Sequence, residues 1–101
     1  MNIRKVSHKA TNKITLQNIR IMAKQAIEVE VFDHSTRTTI VSKKYWTYKK
    51  ASESAEKLSR KYNNHCVYLF EVNLYGTHIT RQEWRDGVHD KSSDYTWRIG
   101  N

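Results

Sequence analysis

Alternating apolar and polar positions predict a β-hairpin in the first half of the chain. Ile27, Val29 and Val31 are separated by single glutamates, which is the pattern of a strand with one buried face. Residues 38–41 are rich in β-branched side chains, whose restricted torsions suit a pleated sheet. The intervening residues 33–36 contain Asp and Ser side chains that can bind their own following backbone, so they are predicted to form the turn.

A helix is predicted over residues 48–62, where apolar side chains recur every three or four positions and so form one stripe. Thr47 precedes the stripe and is a suitable N-cap, because its hydroxyl can accept a hydrogen bond from a free amide of the first turn. Trp46 and Tyr48 are expected to anchor the helix to the sheet, since large aromatic side chains are usually buried. The stripe consists of Tyr48, Ala51, Ala55, Leu58 and Tyr62.

The strongest strand pattern covers residues 66–74. Its side chains are apolar on both faces for half of its length, which is typical of a central strand. Tyr68 and Phe70 are accordingly interpreted as core residues. Residues 75–76 are predicted to turn the chain, and residues 77–80 are predicted to return as a partner strand.

The predicted fold class is α+β, a single small domain in which an antiparallel sheet of about four strands packs on one main helix in the order β-β-α-β-β. Residues 86–94 are expected to form a loop and residues 95–99 a short final strand. The domain is assigned to residues 14–101, within which residues 14–25 fit either a bulged strand or a helix. Residues 1–13 are expected to be a flexible basic N-terminal segment.

Composition supports a folded chain. Of 101 residues, 38% are hydrophobic and 11% are aromatic, which argues for a core rather than for disorder. No stretch approaches the roughly 18 consecutive apolar residues of a membrane span, and the first residues are not followed by the apolar region of a signal peptide. The single cysteine, Cys66, cannot form an intrachain disulfide. We therefore expect a cytoplasmic protein with no membrane contact.

The net charge of +8 comes from the first half of the chain, because residues 1–50 carry 11 basic and 3 acidic residues whereas residues 51–101 carry 7 of each. Such a concentration of charge attracts polyanions, nucleic acid in particular. The basic residues form two clusters, at residues 1–24 and 43–50. In the second cluster, two pairs of lysines flank aromatic side chains that can stack on bases. A solvated face that serves only solubility is the alternative. The candidate nucleic-acid-binding residues are Arg4, Lys5, Lys9, Lys13, Arg20, Lys24, Lys43, Lys44, Lys49, Lys50, Tyr45 and Trp46.

The sequence carries no recognisable signature of catalysis or cofactor binding. The 5 histidines and Cys66 do not form the closely spaced pairs that are typical of structural zinc sites. The 3 glycines leave little material for a loop that cradles phosphates. We therefore predict no metal, no cofactor and no enzymatic activity, and a small nuclease that uses histidine is the third interpretation in order of preference.

Two functions from different classes are preferred to a nuclease. The first is a non-catalytic module that binds DNA or RNA mainly through phosphate contacts. The alternative is a small inhibitor or adaptor of the kind that phages and mobile elements encode, which binds an acidic or nucleic-acid-binding host protein or a defence complex. Its candidate interface residues are Trp84, Tyr95 and Trp97, because aromatic side chains dominate the energetics of many protein interfaces.

Overall fold

A five-stranded antiparallel sheet carries a helix on one of its faces. The computed structural model describes Lys24 and residues 26–97, so the expectations for residues 1–13, and for residues 14–25 apart from Lys24, lie outside the described residues. The elements in chain order are β1 (Ala26–Asp33), β2 (Thr38–Tyr45), α1 (Tyr48–Lys61), β3 (Cys66–Val72), β4 (His78–Arg85) and β5 (Val88–Thr96).

The predicted α+β architecture is confirmed in its coarse form, and the predicted hairpin, helix and central strand are all present. The sheet has five strands instead of about four, and the chain order is β-β-α-β-β-β. Within the sheet the order is β2-β1-β3-β4-β5, which places β2 and β5 at the two edges. The helix that the structure describes is neither long enough nor apolar enough to cross a membrane.

Strand alternation directs one set of apolar side chains of β1 and β3 toward α1. Burial of a single Val, Leu or Ile side chain contributes about 1.5–3 kcal/mol to stability. The facing positions of α1 are Ala51 and Ala55, whose small side chains allow the helix to lie close to the sheet. The core cluster consists of Ile27, Val29, Val31, Ala51, Ala55, Val67 and Leu69.

Ser59 continues the row of small residues on α1 and connects the helix to the turn between β4 and β5. Its side chain is 1% exposed. The hydroxyl donates to the backbone carbonyl of Glu56 (2.9 Å) and accepts the backbone N–H of Gly87 (2.8 Å). Asp86 and Gly87 have φ values of 49° and 83°, and this left-handed pair suits a two-residue Asp-Gly hairpin turn. A polar residue on the helix stripe therefore fixes the position of a β-turn.

The prediction of a loop over residues 86–94 was wrong, because this segment contains a tight turn and most of β5. β4 ends at Arg85 and β5 begins at Val88, with only the Asp-Gly turn between them. The described part of the predicted final strand is the end of β5 and Trp97, which follows it.

A bulge in β5 explains why its sequence resembles a loop. Asp90 and Tyr95 pair with residues of β4 that are only two positions apart, so residues 91–94 are set against a single residue. Asp90 accepts hydrogen bonds from the hydroxyls of Ser92 (2.6 Å) and Ser93 (2.8 Å). These bonds lower the pKa of the Asp90 carboxyl. Turn-forming residues are thus accommodated inside a strand.

Replacement of Ser59 by alanine is expected to lower the free energy of unfolding by about 1–2 kcal/mol, because the partly buried amide of Gly87 loses its acceptor. Ser52→Ala is the control, since the Ser52 hydroxyl donates only to a carbonyl at an exposed position, and its effect is expected to stay within about 0.5 kcal/mol. Urea unfolding followed by circular dichroism measures both variants. Equal losses of stability would contradict the structural role of Ser59.

Candidate nucleic-acid interface

β2 and α1 bring five exposed lysines to one edge of the sheet. A groove of about 360 Å³ runs between these two elements and is lined by Lys43, Lys50 and Lys57. Lys44 neighbours Lys43 on β2 and points to the other face of the sheet. We call this surface the basic edge, and it comprises Lys43, Lys44, Lys49, Lys50, Lys57 and Trp46.

The start of α1 adds to the positive charge of the basic edge. Thr47 is the N-cap, as predicted, and its hydroxyl accepts the backbone N–H of Lys50 at 3.3 Å. The first turn carries no acidic residue, but it does carry Lys49 and Lys50. The partial positive charge at the helix N-terminus is therefore reinforced rather than neutralised by its own side chains.

Tyr45 and Trp46 are adjacent in the sequence but differ in their surroundings. Tyr45 packs against the core cluster, and its hydroxyl donates to the hydroxyl of Ser54 at 2.7 Å, which holds β2 to α1. Trp46 follows the last paired residue of β2 and is 71% exposed, so the expectation that it anchors the helix was wrong. Tyr48 is largely exposed but donates to the side-chain oxygen of Gln82 at 3.2 Å, which is an anchoring contact.

The structure describes only part of the predicted nucleic-acid-binding set. From the first basic cluster it describes Lys24, which is exposed. The structure adds Lys57 to this set, because Lys57 lines the groove with Lys50. Sequence reasoning missed it, although a spacing of seven residues places Lys50 and Lys57 on one side of a helix. The predicted residues that lie outside the described part of the chain are Arg4, Lys5, Lys9, Lys13 and Arg20.

The three aromatic residues predicted for a protein interface do not form one surface. Trp84 packs against the core cluster on the α1 side of the sheet and stacks on His89, with ring centroids 5.3 Å apart. Tyr95 and Trp97 meet edge to face at 4.9 Å. Trp97 also lies beside Phe70, which belongs to the opposite side of the sheet. Of the three predicted interface residues, only Tyr95 and Trp97 are therefore in contact with each other.

We call the side of the sheet opposite α1 the open face, because no other element of the described chain packs on it. Phe70 is 7% exposed, as the core interpretation predicted, but it is covered by the His78 ring stacked at 3.8 Å and not by the helix. Tyr68 is half-buried, and its burial, together with neighbouring Cys66, raises its pKa to about 12. The guanidinium of Arg81 lies 5.6 Å from the centre of the Tyr68 ring.

Two carboxylates and a histidine also meet on the open face. Glu28 and Glu30 of β1 and His78 of β4 place potential ligand atoms within 4.8 Å of one another. Burial raises the pKa of Glu30, and the charge of Glu28 raises it further. Within the residues that the structure describes, this is the one group able to hold a metal ion. The alternation of the two glutamates was visible in the sequence, but the approach of His78 depends on the strand order.

Comparison of the chain with protein-family models, with curated proteins and with solved structures returned no match. The chain is therefore assigned to no family.

Replacement of Trp46 by alanine is expected to change the free energy of unfolding by less than about 0.5 kcal/mol, because most of its side chain is already in solvent. Tyr45→Phe is expected to lower it by about 0.5–1.5 kcal/mol, because the hydrogen bond to Ser54 is lost. Urea unfolding measures both. A larger loss for the Trp46 variant than for the Tyr45 variant would identify Trp46 as an anchor after all.

Proposed function

We propose that this chain is a small, non-catalytic module that binds nucleic acid mainly through phosphate contacts on its basic edge. The observation that carries the proposal is the grouping of five exposed lysines at one edge of the sheet, three of them around one groove, next to an exposed tryptophan. Lysine ammonium groups are compact point charges that suit phosphate oxygens.

The charge of these lysines is available to a partner. In the described part of the chain none of the five lysines of the basic edge forms an ion pair, whereas Arg60, Arg81 and Arg85 pair with glutamates. Lysines that neutralise phosphates release the counterions condensed on nucleic acid, and this release drives sequence-independent binding. Phosphate contacts position a strand without reading its bases, so we expect modest sequence specificity.

The acidic residues favour the same edge for an anionic partner. Glu28 and Glu30 lie on the open face, where their carboxylates repel phosphate. Of the described residues that line the groove between β2 and α1, only Glu53 is acidic. The electrostatic potential therefore guides a phosphate backbone toward the basic edge and away from the middle of the sheet.

Lys43→Glu combined with Lys49→Glu is expected to remove most binding to a generic DNA duplex at low salt, because two attractions become repulsions. The matched control is Arg37→Glu with Lys91→Glu, which changes the net charge equally at exposed positions in the β1–β2 turn and on the opposite edge strand β5. Fluorescence anisotropy at about 50 and 200 mM salt measures the affinities. The slope of log affinity against log salt should become shallower by about 2 in the first variant only.

Equal losses in the two double variants would mean that net charge, and not the basic edge, attracts nucleic acid. Unchanged affinity in the Lys43 and Lys49 variant would refute the proposed function.

Trp46→Ala is expected to weaken binding to single-stranded oligonucleotides at least about fivefold, because stacking of one base on an aromatic ring contributes about 1–3 kcal/mol. Its affinity for a duplex should change little, since duplex bases are already stacked on one another. Parallel anisotropy titrations with single-stranded and duplex probes of one sequence make the comparison. An equal loss on both probes, or no loss on either, would contradict a stacking role for Trp46.

A protein-binding inhibitor or adaptor is the second candidate, and one observation favours it. Tyr95 is 50% exposed and forms a pair with Trp97 beside the open face, as aromatic interface residues often do. Contacts of this kind bury apolar surface and are less sensitive to salt than phosphate contacts. A stoichiometric protein complex that survives both nuclease and high salt would favour this function over nucleic-acid binding.

A further inference from the structure

Three side chains with metal-ligating atoms converge on the open face from two strands that are not neighbours. Glu28 and Glu30 occupy alternate positions of β1 and therefore point to the same side of the sheet. His78 begins β4, and β3 lies between the two strands. The Nε2 atom of His78 is 3.4 Å from Oε1 of Glu28, and the ligand atoms of all three residues lie within 4.8 Å of one another.

The histidine is held in position by packing. Its ring stacks on Phe70 with centroids 3.8 Å apart and planes inclined by 10°. Phe70 is itself buried on β3, directly opposite Glu28 in the strand register. Phe70 of the central strand therefore holds the imidazole of His78 next to the carboxylates of β1. All three ligand side chains come from strands, so no loop has to fold over the site to bring the donor atoms together.

The two carboxylates lack a strong cationic partner. Among the described residues no lysine or arginine forms an ion pair with Glu28 or Glu30, and nearby Arg81 pairs instead with Glu83. Glu30 is partly buried, and its carboxylate lies close enough to that of Glu28 for the two negative charges to repel each other. A dication bound between them would remove this repulsion. An open groove of about 330 Å³, which Glu30 and His78 help to line, leaves room for water ligands.

We propose that Glu28, Glu30 and His78 form a binding site for a first-row transition-metal dication, with Zn²⁺ as its representative. One imidazole nitrogen and two carboxylate oxygens form a donor set that suits such ions, whereas Ca²⁺ and Mg²⁺ are bound by oxygen ligands. Metal–ligand distances of about 2.0–2.2 Å require that the partly exposed glutamate side chains move closer to His78. Three protein ligands leave a coordination position for water. The site uses no residue of the basic edge as a ligand, although Lys44 of that edge is the register partner of Glu28.

Isothermal titration calorimetry of the full chain with Zn²⁺ alone tests the proposal. The wild-type chain is expected to bind one Zn²⁺, and Glu30→Gln and His78→Gln are each expected to lower the affinity at least about tenfold. The matched controls are His34→Gln, which lies in the same groove with Nε2 3.0 Å from the hydroxyl of Tyr68, and His89→Gln, whose Nε2 lies 2.7 Å from Asp94. Both controls should retain wild-type affinity.

Thermal unfolding of each variant, with and without Zn²⁺, provides the second measurement. Zn²⁺ should raise the melting temperature of the wild-type chain and of both controls, and a chelator should reverse the shift. Glu30→Gln preserves the size of the side chain, so this variant decides the question if His78→Gln fails to fold. The proposal is overturned if the wild-type chain binds no Zn²⁺, if a control loses as much affinity as the ligand variants, or if Ca²⁺ or Mg²⁺ binds as tightly as Zn²⁺.

Discussion

The helix α1 lies directly on β1 and β3 because Ala51, Ala55 and Ser59 are small. The positions of the groove beside β2 and of the open face follow from that contact. The valines, isoleucine and leucine of the two central strands are buried only because the helix backbone approaches them closely. Ser59 extends the contact by accepting the backbone N–H of the β4–β5 turn. Without this close approach, neither the groove between β2 and α1 nor the hairpin at the other edge would have its present shape.

The two sides of the sheet carry different kinds of side chains, because the helix covers only one of them. On the covered side the core is apolar, and its border with edge strand β2 carries the lysines of the groove. On the open face, aromatic rings share the surface with carboxylates and histidines. Lys44 of β2 is the register partner of Glu28 of β1, so a positive and a negative side chain lie on neighbouring strands. The spacing between such strands is about 4.8 Å. We therefore propose different parts of one small sheet for anionic and for cationic ligands.

Much of the fold could be predicted from local patterns. The hairpin, the helix with its Thr47 cap and the central strand each depend on periodicity or on a capping residue close in sequence. Only the end of the fifth strand was predicted, because residues 90–94 contain the Asp and Ser residues of a turn. In the structure these residues form a bulge inside β5. The Asp-Gly pair at residues 86–87 could have indicated a hairpin. Such a pair predicts a hairpin only when strand patterns are recognised on both sides of it.

The sequence by itself determined the helix, most of the strand segments and where the positive charge is concentrated, because these are properties of residues close together along the chain. The tertiary structure decided which side chains meet. It placed β3 between β1 and β4 and so brought Glu28 within 3.4 Å of His78, fifty residues later. It also left Trp46 in solvent while burying Phe70 beneath a histidine. Strand order and burial depend on how distant apolar surfaces pack together, and no local periodicity carries that information.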